Sequence, residues 1–147
     1  MAFRPAGPKD AAVLARLMRA YYAYDGHDYD EVTVGQTLDA FLAEPAYGRA
    51  WLIEIDGTPA GYMVMCIGFS LEFGGRDAFV DEIYLEQAYR GRGIGRKALD
   101  HMIAEARRLG IRALHLEVDR DNALAERLYR ALGFAPRDRF VLMSRVV

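Results

Sequence analysis

Glycine and arginine alternate through Arg90-Gly91-Arg92-Gly93-Ile94-Gly95-Arg96. This stretch follows the strand-like run Phe79-Val80-Asp81-Glu82-Ile83-Tyr84-Leu85 and the polar link Glu86-Gln87-Ala88-Tyr89. These residue types, in this order, suit a phosphorylated ligand. Glycines at alternate positions remove the Cβ atoms that would hold a ligand off the backbone. A helix opening here offers N–H groups with no partner inside the helix, and the positive end of its dipole. Arg90, Arg92 and Arg96 add positive charge. Two acids, Asp81 and Glu82, stand just upstream, and strand alternation directs them to opposite faces, so that one of them faces a site. A second acidic group lies in Tyr22-Ala23-Tyr24-Asp25-Gly26-His27-Asp28-Tyr29-Asp30-Glu31. It reads either as a solvated loop or as a wall of a site for a cationic substrate.

The residues alone leave other readings of the glycine stretch open. It can be a helix entry flanked by surface arginines. A dinucleotide-binding turn is a further reading, since Asp119 ends the next strand. Against it, Gly91-x-Gly93-x-Gly95 lacks the last spacing of G-x-G-x-x-G, and a polar segment separates strand from glycines. Too little chain follows to complete a doubly wound sheet. Cys66, in the apolar run Tyr62-Met63-Val64-Met65-Cys66-Ile67, reads as a reduced core thiol. His27 and His115 are weaker candidates for proton transfer, and His101 reads as an outer-face helix residue.

The elements that position these groups follow from periodicity and punctuation. Phe3-Arg4-Pro5-Ala6 opens as a short strand. Gly7-Pro8-Lys9-Asp10 starts a helix, with Pro at its first position and Val13, Leu14, Leu17, Met18 and Tyr21 on one face. A second helix runs from about Thr33, with Val34, Leu38, Phe41 and Leu42 inward, and stops at Glu44-Pro45. Ala50 to Ile55 and Pro59 to Phe69 are strands joined by the hairpin signal Asp56-Gly57. The second of them is apolar throughout, which predicts burial on both faces. After the turn at Gly74-Gly75 comes the strand Phe79 to Leu85. The helix after Gly95 carries Ala98, Leu99, Met102, Ile103, Ala106 and Leu109 at helical spacing, and Gly110 ends it. Ala113 to Val118 alternates as a strand. Asn122 caps a last helix with Leu124, Leu128, Ala131 and Leu132 inward, and Gly133 ends it. Phe134 and Phe140 to Val146 supply the final strands. Antiparallel hairpins followed by a β-α-β unit give a mixed α/β (α+β) class.

The 147 residues fit one domain, residues 1–147, large enough to bury a core. A net charge of −2 implies no general affinity for nucleic acid. One cysteine excludes an intrachain disulfide, which suits the cytoplasm. We read no signal peptide, no membrane-spanning run and no metal-ligand set.

Arg90-x-x-Gly93-x-Gly95 resembles the R/Q-x-x-G-x-G/A motif of the GNAT N-acyltransferase superfamily. Val118-Asp119-x-Asp121-Asn122-(x)6-Tyr129-(x)3-Gly133-Phe134 resembles the second signature of that family, V-x-x-x-N-x-x-A-x-x-L-Y-x-x-x-G-F. The order of elements is similar to the GNAT fold along nearly the whole chain. The resemblance implies a largely antiparallel sheet flanked by about four helices, with a splayed central strand pair. It implies acetyl-CoA as cosubstrate and direct transfer of its acetyl group to an amine, with no metal. The pyrophosphate would lie on the backbone of Gly91, Arg92, Gly93, Ile94, Gly95 and Arg96, with Arg90 shaping the loop. Ile83, Tyr84 and Leu85 would border the pantetheine arm, the Leu85 N–H polarising the thioester carbonyl. Asn122 would bind the arm, and Tyr129 would protonate the departing thiolate. Asp81 or Glu82 would take the proton of the amine.

Tyr24-Asp25 and Asp81-Glu82 further resemble the diamine and polyamine acetyltransferases, where acids receive substrate ammonium groups. That implies Tyr24, Asp25 and Asp81 as substrate-binding residues. Arg137 and Arg139 depart from that pattern and would suit a carboxylate, as on an amino acid or a peptide end. A domain that binds acyl-CoA as a sensor without turning it over is the alternative of a different class. Pairing as a homodimer is common in the family and is an expectation here.

Overall fold

The computed structural model describes residues Met1–Val147, which divide into two compact units, Met1–Glu117 and Val118–Val147. The first unit is built on one five-stranded sheet. Its elements are β1 (Ala2–Pro5), α1 (Ala11–Asp25), α2 (Glu31–Ala43), β2 (Gly48–Ile55), β3 (Thr58–Ser70), β4 (Gly75–Leu85), α3 (Ile94–Arg108) and β5 (Ala113–His115). The strands lie side by side in chain order. The first four pair antiparallel, and β5 runs parallel to β4.

Alternation along β2 and β3 gives the sheet two buried faces. Ala50, Leu52, Tyr62 and Val64 point to one face, where they pack with Leu14, Leu17 and Met18 of α1 and Val34 and Leu38 of α2. Trp51, Ile53, Met63 and Met65 fill the other face and are 0–2% exposed. His101 of α3 lies against Phe3 and Trp51, with ring centroids 5.0 and 5.6 Å away, so α3 covers that second face. The expectation of an outer-face His101 is therefore corrected. The residue is half-buried, and its Nε2 is buried without a hydrogen-bond partner. The helical wheel sets it one residue before buried Met102, on the edge of the packed stripe.

Local chemistry explains the remaining boundaries. A 3-10 turn at Pro8–Asp10 precedes α1. Asp10 is buried there; its carboxylate accepts from the Gly7 N–H and from Arg4, which also reaches Glu54. Helix α2 begins before Thr33, because the Asp30 carboxylate accepts from the Thr33 N–H at 2.8 Å and caps it. Asp56 and Gly57 both take positive φ, 50° and 77°, as a tight hairpin requires. β4 starts at Gly75, four residues before the apolar run, because β3 extends to Ser70 and offers a partner edge.

The second unit holds α4 (Ala123–Ala131). The strands expected at Phe134 and Phe140–Val146 are not present, and β5 stops at His115 instead of Val118. Apolar and β-branched residues form strands where an edge is there to pair with. Here Phe140 to Met143 are 64–89% exposed and belong to no ladder.

Candidate active site

One extra residue in β4 determines where both strand acids point. β4 pairs with β3 in register from Gly75↔Ser70 to Val80↔Met65, and then Glu82, not Asp81, pairs with Val64. Asp81 is the unpaired residue of a β-bulge. Without it, Glu82 would face Met63 and lie on the α3 side of the sheet. With it, Glu82 shares a face with Tyr62 and Val64 and points toward α1. The Cys66 thiol is on that same face, and Asp81 lies beside it. The two acids therefore share one side, which corrects the alternation that separated them.

Both acids line an open pocket of about 400 Å³ together with Tyr21, Tyr22, His27 and Asp28. Glu82 Oε1 accepts from the Tyr22 hydroxyl at 2.7 Å, and Oε2 accepts from the Tyr62 hydroxyl at 2.6 Å. Burial, and then the Glu82 carboxylate, push both phenols well above the ordinary tyrosine range, so both remain donors. Burial, with Asp81 beside it, pushes the Cys66 thiol up to about 11. A thiol held protonated is a poor nucleophile.

The other acids of the α1–α2 connection divide by task. Asp28 lines the pocket. Asp30 serves as the α2 cap, and Asp25 pairs with His27 Nε2 at 2.6 Å. Tyr24 lies outside the pocket lining, under the Arg90 guanidinium at 4.2 Å. The sequence reading missed Tyr62 as a site residue. A signal was available: a tyrosine inside an apolar strand buried on both faces must find an acceptor for its hydroxyl.

The glycine turn opens α3 at Ile94, two residues before the expected start. Gly91 and Gly93 take φ of 74° and 72°, and Gly93 caps the helix with no side-chain hydrogen bond. A Cβ added at Gly91, Gly93 or Gly95 would meet no atom within 4 Å. Packing within the protein therefore does not require these glycines, and the open cradle with first-turn N–H groups fits an anionic ligand. Arg90 Nε donates to the Leu85 carbonyl at 2.8 Å, and its guanidinium covers Tyr24 and Tyr84, so it ties the loop to the end of β4. Arg92 lies over Tyr89, while Arg96 is exposed and 4.0 Å from Asp100.

β4 parts from β5 early. The two pair only from Asp77↔Ala113 to Phe79↔His115. The Glu86 N–H bonds to the Ala60 carbonyl on β3. By alternation, the backbone groups of Ile83 and Leu85 face the other way, along the edge that β5 leaves open. Tyr84 lies between them with its side chain buried against Tyr21, 5.6 Å between ring centroids.

In the second unit, Asn122 Oδ1 accepts from the Ala125 N–H at 3.1 Å and caps α4. Tyr129 is half-buried, with its ring against Phe134 at 6.2 Å, and burial raises its pKa. Arg137 and Arg139 flank the Phe140 ring at 5.3 and 5.7 Å.

Comparison with known proteins agrees with this architecture. The model of the "Acetyltransferase (GNAT) family" matches residues 12–134. The thialysine N-epsilon-acetyltransferase of Bos taurus is 31% identical over 88% of this chain and 81% of its own length. The L-methionine sulfoximine/L-methionine sulfone acetyltransferase of Salmonella typhimurium is 28% identical over 91% of this chain and 80% of its own. An uncharacterized N-acetyltransferase of Methanocaldococcus jannaschii is 26% identical over 82% of this chain, which spans 54% of that relative's length. Among solved structures, an integron cassette protein from the mobile metagenome of Cole Harbour Salt Marsh superposes with a TM-score of 0.88 at 32% identity, covering 99% of this chain and 90% of its own. With more than half of its residues matched by the family model, the chain belongs to the acetyltransferase (GNAT) family.

Proposed function

We propose that this protein moves an acetyl group from acetyl-CoA directly to a primary amine of a small cationic molecule, a diamine or polyamine being the best fit. The observation that carries the reading is the bulge at Asp81, which turns two adjacent carboxylates into one pocket with Asp28. No lysine or arginine lines that pocket. Three carboxylates without a matching cation suit an acceptor that brings more than one positive charge. The relatives named for thialysine and methionine sulfoximine act on amines of amino acids, so free amino acids belong in the test.

In this reading the chain 1–147 is one catalytic domain, and the family match across residues 12–134, which enters both units, supports that. The first-turn N–H groups after Gly93, with Gly91, Arg92 and Arg96, would hold the pyrophosphate of CoA. Ile83 and Leu85 would hold the pantetheine arm along the open edge of β4, with the Leu85 N–H aimed at the thioester oxygen as a fixed donor. An alkylammonium ionises near pH ~10 and must lose a proton before it attacks. Asp81 or Glu82 takes that proton. The nitrogen then bonds the acetyl carbon as the carbon–sulfur bond breaks. Asn122 and Tyr129 are assigned by the second family motif, as binder of the CoA arm and as proton donor to the sulfur.

The test is release of free CoA thiol with a panel of diamines, amino acids, a peptide and an uncharged monoamine. Diamines should give the highest kcat/KM. Asp28→Asn and Asp81→Asn should each raise KM for a diamine by up to about 5-fold, the worth of ~1 kcal/mol for a partly exposed ion pair. KM for the uncharged monoamine should change little. Amino acids as best substrates would overturn the polyamine-like assignment. CoA binding with no thiol release from any amine would leave an acyl-CoA sensor.

A further inference from the structure

We propose that Tyr22 and Tyr62 are positioning residues that lock the Glu82 carboxylate at the point where the acceptor amine gives up its proton; this rests on the reading of the pocket as the amine site. A glutamate on a strand has several rotatable bonds, and beside a bulge its neighbours do not fix it by pleating alone. Here each carboxylate oxygen has its own phenol donor, at 2.7 and 2.6 Å. The donors come from different layers. Tyr22 belongs to α1 and Tyr62 to β3. The carboxylate is thus held between the helix and the sheet, and each oxygen keeps a lone pair for an ammonium N–H.

The aromatic surroundings maintain this arrangement. Tyr62 is 0% exposed, and its ring lies 6.2 Å from Tyr84. Tyr84 in turn packs on Tyr21, and Tyr21 on Tyr22 at 5.7 Å. The rings set the phenol oxygens where they are, and both phenols stay protonated because burial and the Glu82 charge oppose ionisation. Asp81 differs: it is exposed and has the Cys66 thiol, not a phenol, beside it. The two acids of the bulge therefore have unequal freedom, and Glu82 is the one held in a fixed geometry. A group held for proton transfer gains from such placement, since a 1 Å error can cost ~100-fold in rate.

The test is a double-mutant cycle in the CoA-release assay, run as single turnovers at saturating acetyl-CoA. Tyr22→Phe and Tyr62→Phe should each lower the rate by about 10- to 100-fold and leave KM for acetyl-CoA unchanged. Glu82→Gln should lower it further. In the Glu82→Gln background, either Phe substitution should cost nothing more, because the tyrosines act through that carboxylate. A purely structural role would give the same fold-loss in both backgrounds and would overturn the proposal. Folded Phe variants with wild-type rates would overturn it as well. Should Tyr62→Phe not fold by circular dichroism, half-buried Tyr22 carries the cycle alone. A Glu82→Gln variant with full activity would remove the amine site from this pocket. Loss in Glu82→Gln with both Phe variants intact would keep the pocket and remove the positioning role.

Discussion

Gly95→Ala should make the protein more stable and a weaker binder of CoA. Gly95 is the second residue of α3, and its φ is not in the left-handed region. A Cβ there would meet no atom within 4 Å. The substitution therefore removes glycine's entropic cost in a helix without strain or clash, a gain of about 0.5–1 kcal/mol. For a chain of this size that raises Tm by roughly 1–4 °C. The proposed pyrophosphate lies against the same backbone. A methyl group would hold it away from the first-turn N–H groups, and each charge-assisted bond lost is worth ~1.5–3 kcal/mol. Kd for CoA should rise about 10- to 100-fold. Gly35→Ala is the matched comparison, since Gly35 lies inside α2 with the same open surroundings. It should show the Tm gain without the loss of affinity. Calorimetric titration with CoA and thermal melts of the three proteins suffice. If Gly95→Ala gains stability and binds CoA as tightly as wild type, the ligand does not lie on this turn.

Two further outcomes are expected. Tyr129→Phe should lower kcat by about 10²–10⁴-fold with little change in Tm or in Kd for acetyl-CoA, read by single-turnover kinetics; near-full rates would remove Tyr129 as the proton donor. Cys66 should react slowly with iodoacetamide at neutral pH and faster as pH climbs toward about 11, and the stability linked to its raised pKa should be present below pH 9.0, the ordinary thiol value, and decline from there to about 11. Rapid alkylation of the folded protein at pH 7 would contradict that environment.

Much of the fold was legible because its signals are local. Asp56-Gly57 made a tight hairpin, and Ala98, Leu99 and Met102 faced the core of α3 at the expected spacing. Asn122 capped α4 through its own side chain. The glycine turn also read correctly as a helix entry, because positive φ at Gly91 and Gly93 is a property of residue type. What failed was pairing. Whether Phe140–Val146 becomes a strand depends on a neighbouring edge, which the residues themselves do not encode. The bulge at Asp81 depends on register against β3, a sum over two strands. The Tyr62–Glu82 bond spans 20 residues and follows from that register. The Asp30 cap had a local signal, an acid just before the α2 apolar face, that the acidic context obscured.

The bulge links the fold of the first unit to its chemistry more closely than a loop-borne site would. Val80 pairs with Met65, on the α3 side of the sheet, whereas Glu82 and Tyr84 pair with Val64 and Tyr62, on the α1 side. One extra residue therefore changes the face of everything after it in β4. Tyr84 needs that change, since it is buried in the core with Leu14, Leu17 and Leu52. Glu82 needs it to reach Tyr22. A slip that removed the bulge would put the Glu82 carboxylate on the face lined by Met63 and Met65 without its two phenols, and burying an unpaired carboxylate there costs several kcal/mol. The same slip would leave the Tyr62 hydroxyl buried without its acceptor, at a further ~1–3 kcal/mol. The core and the two tyrosines thus select the same register, and that register is the one that brings Asp81 and Glu82 to a single pocket. Glu82 is held by packed strand and helix residues, so its geometry is as rigid as the sheet that carries it.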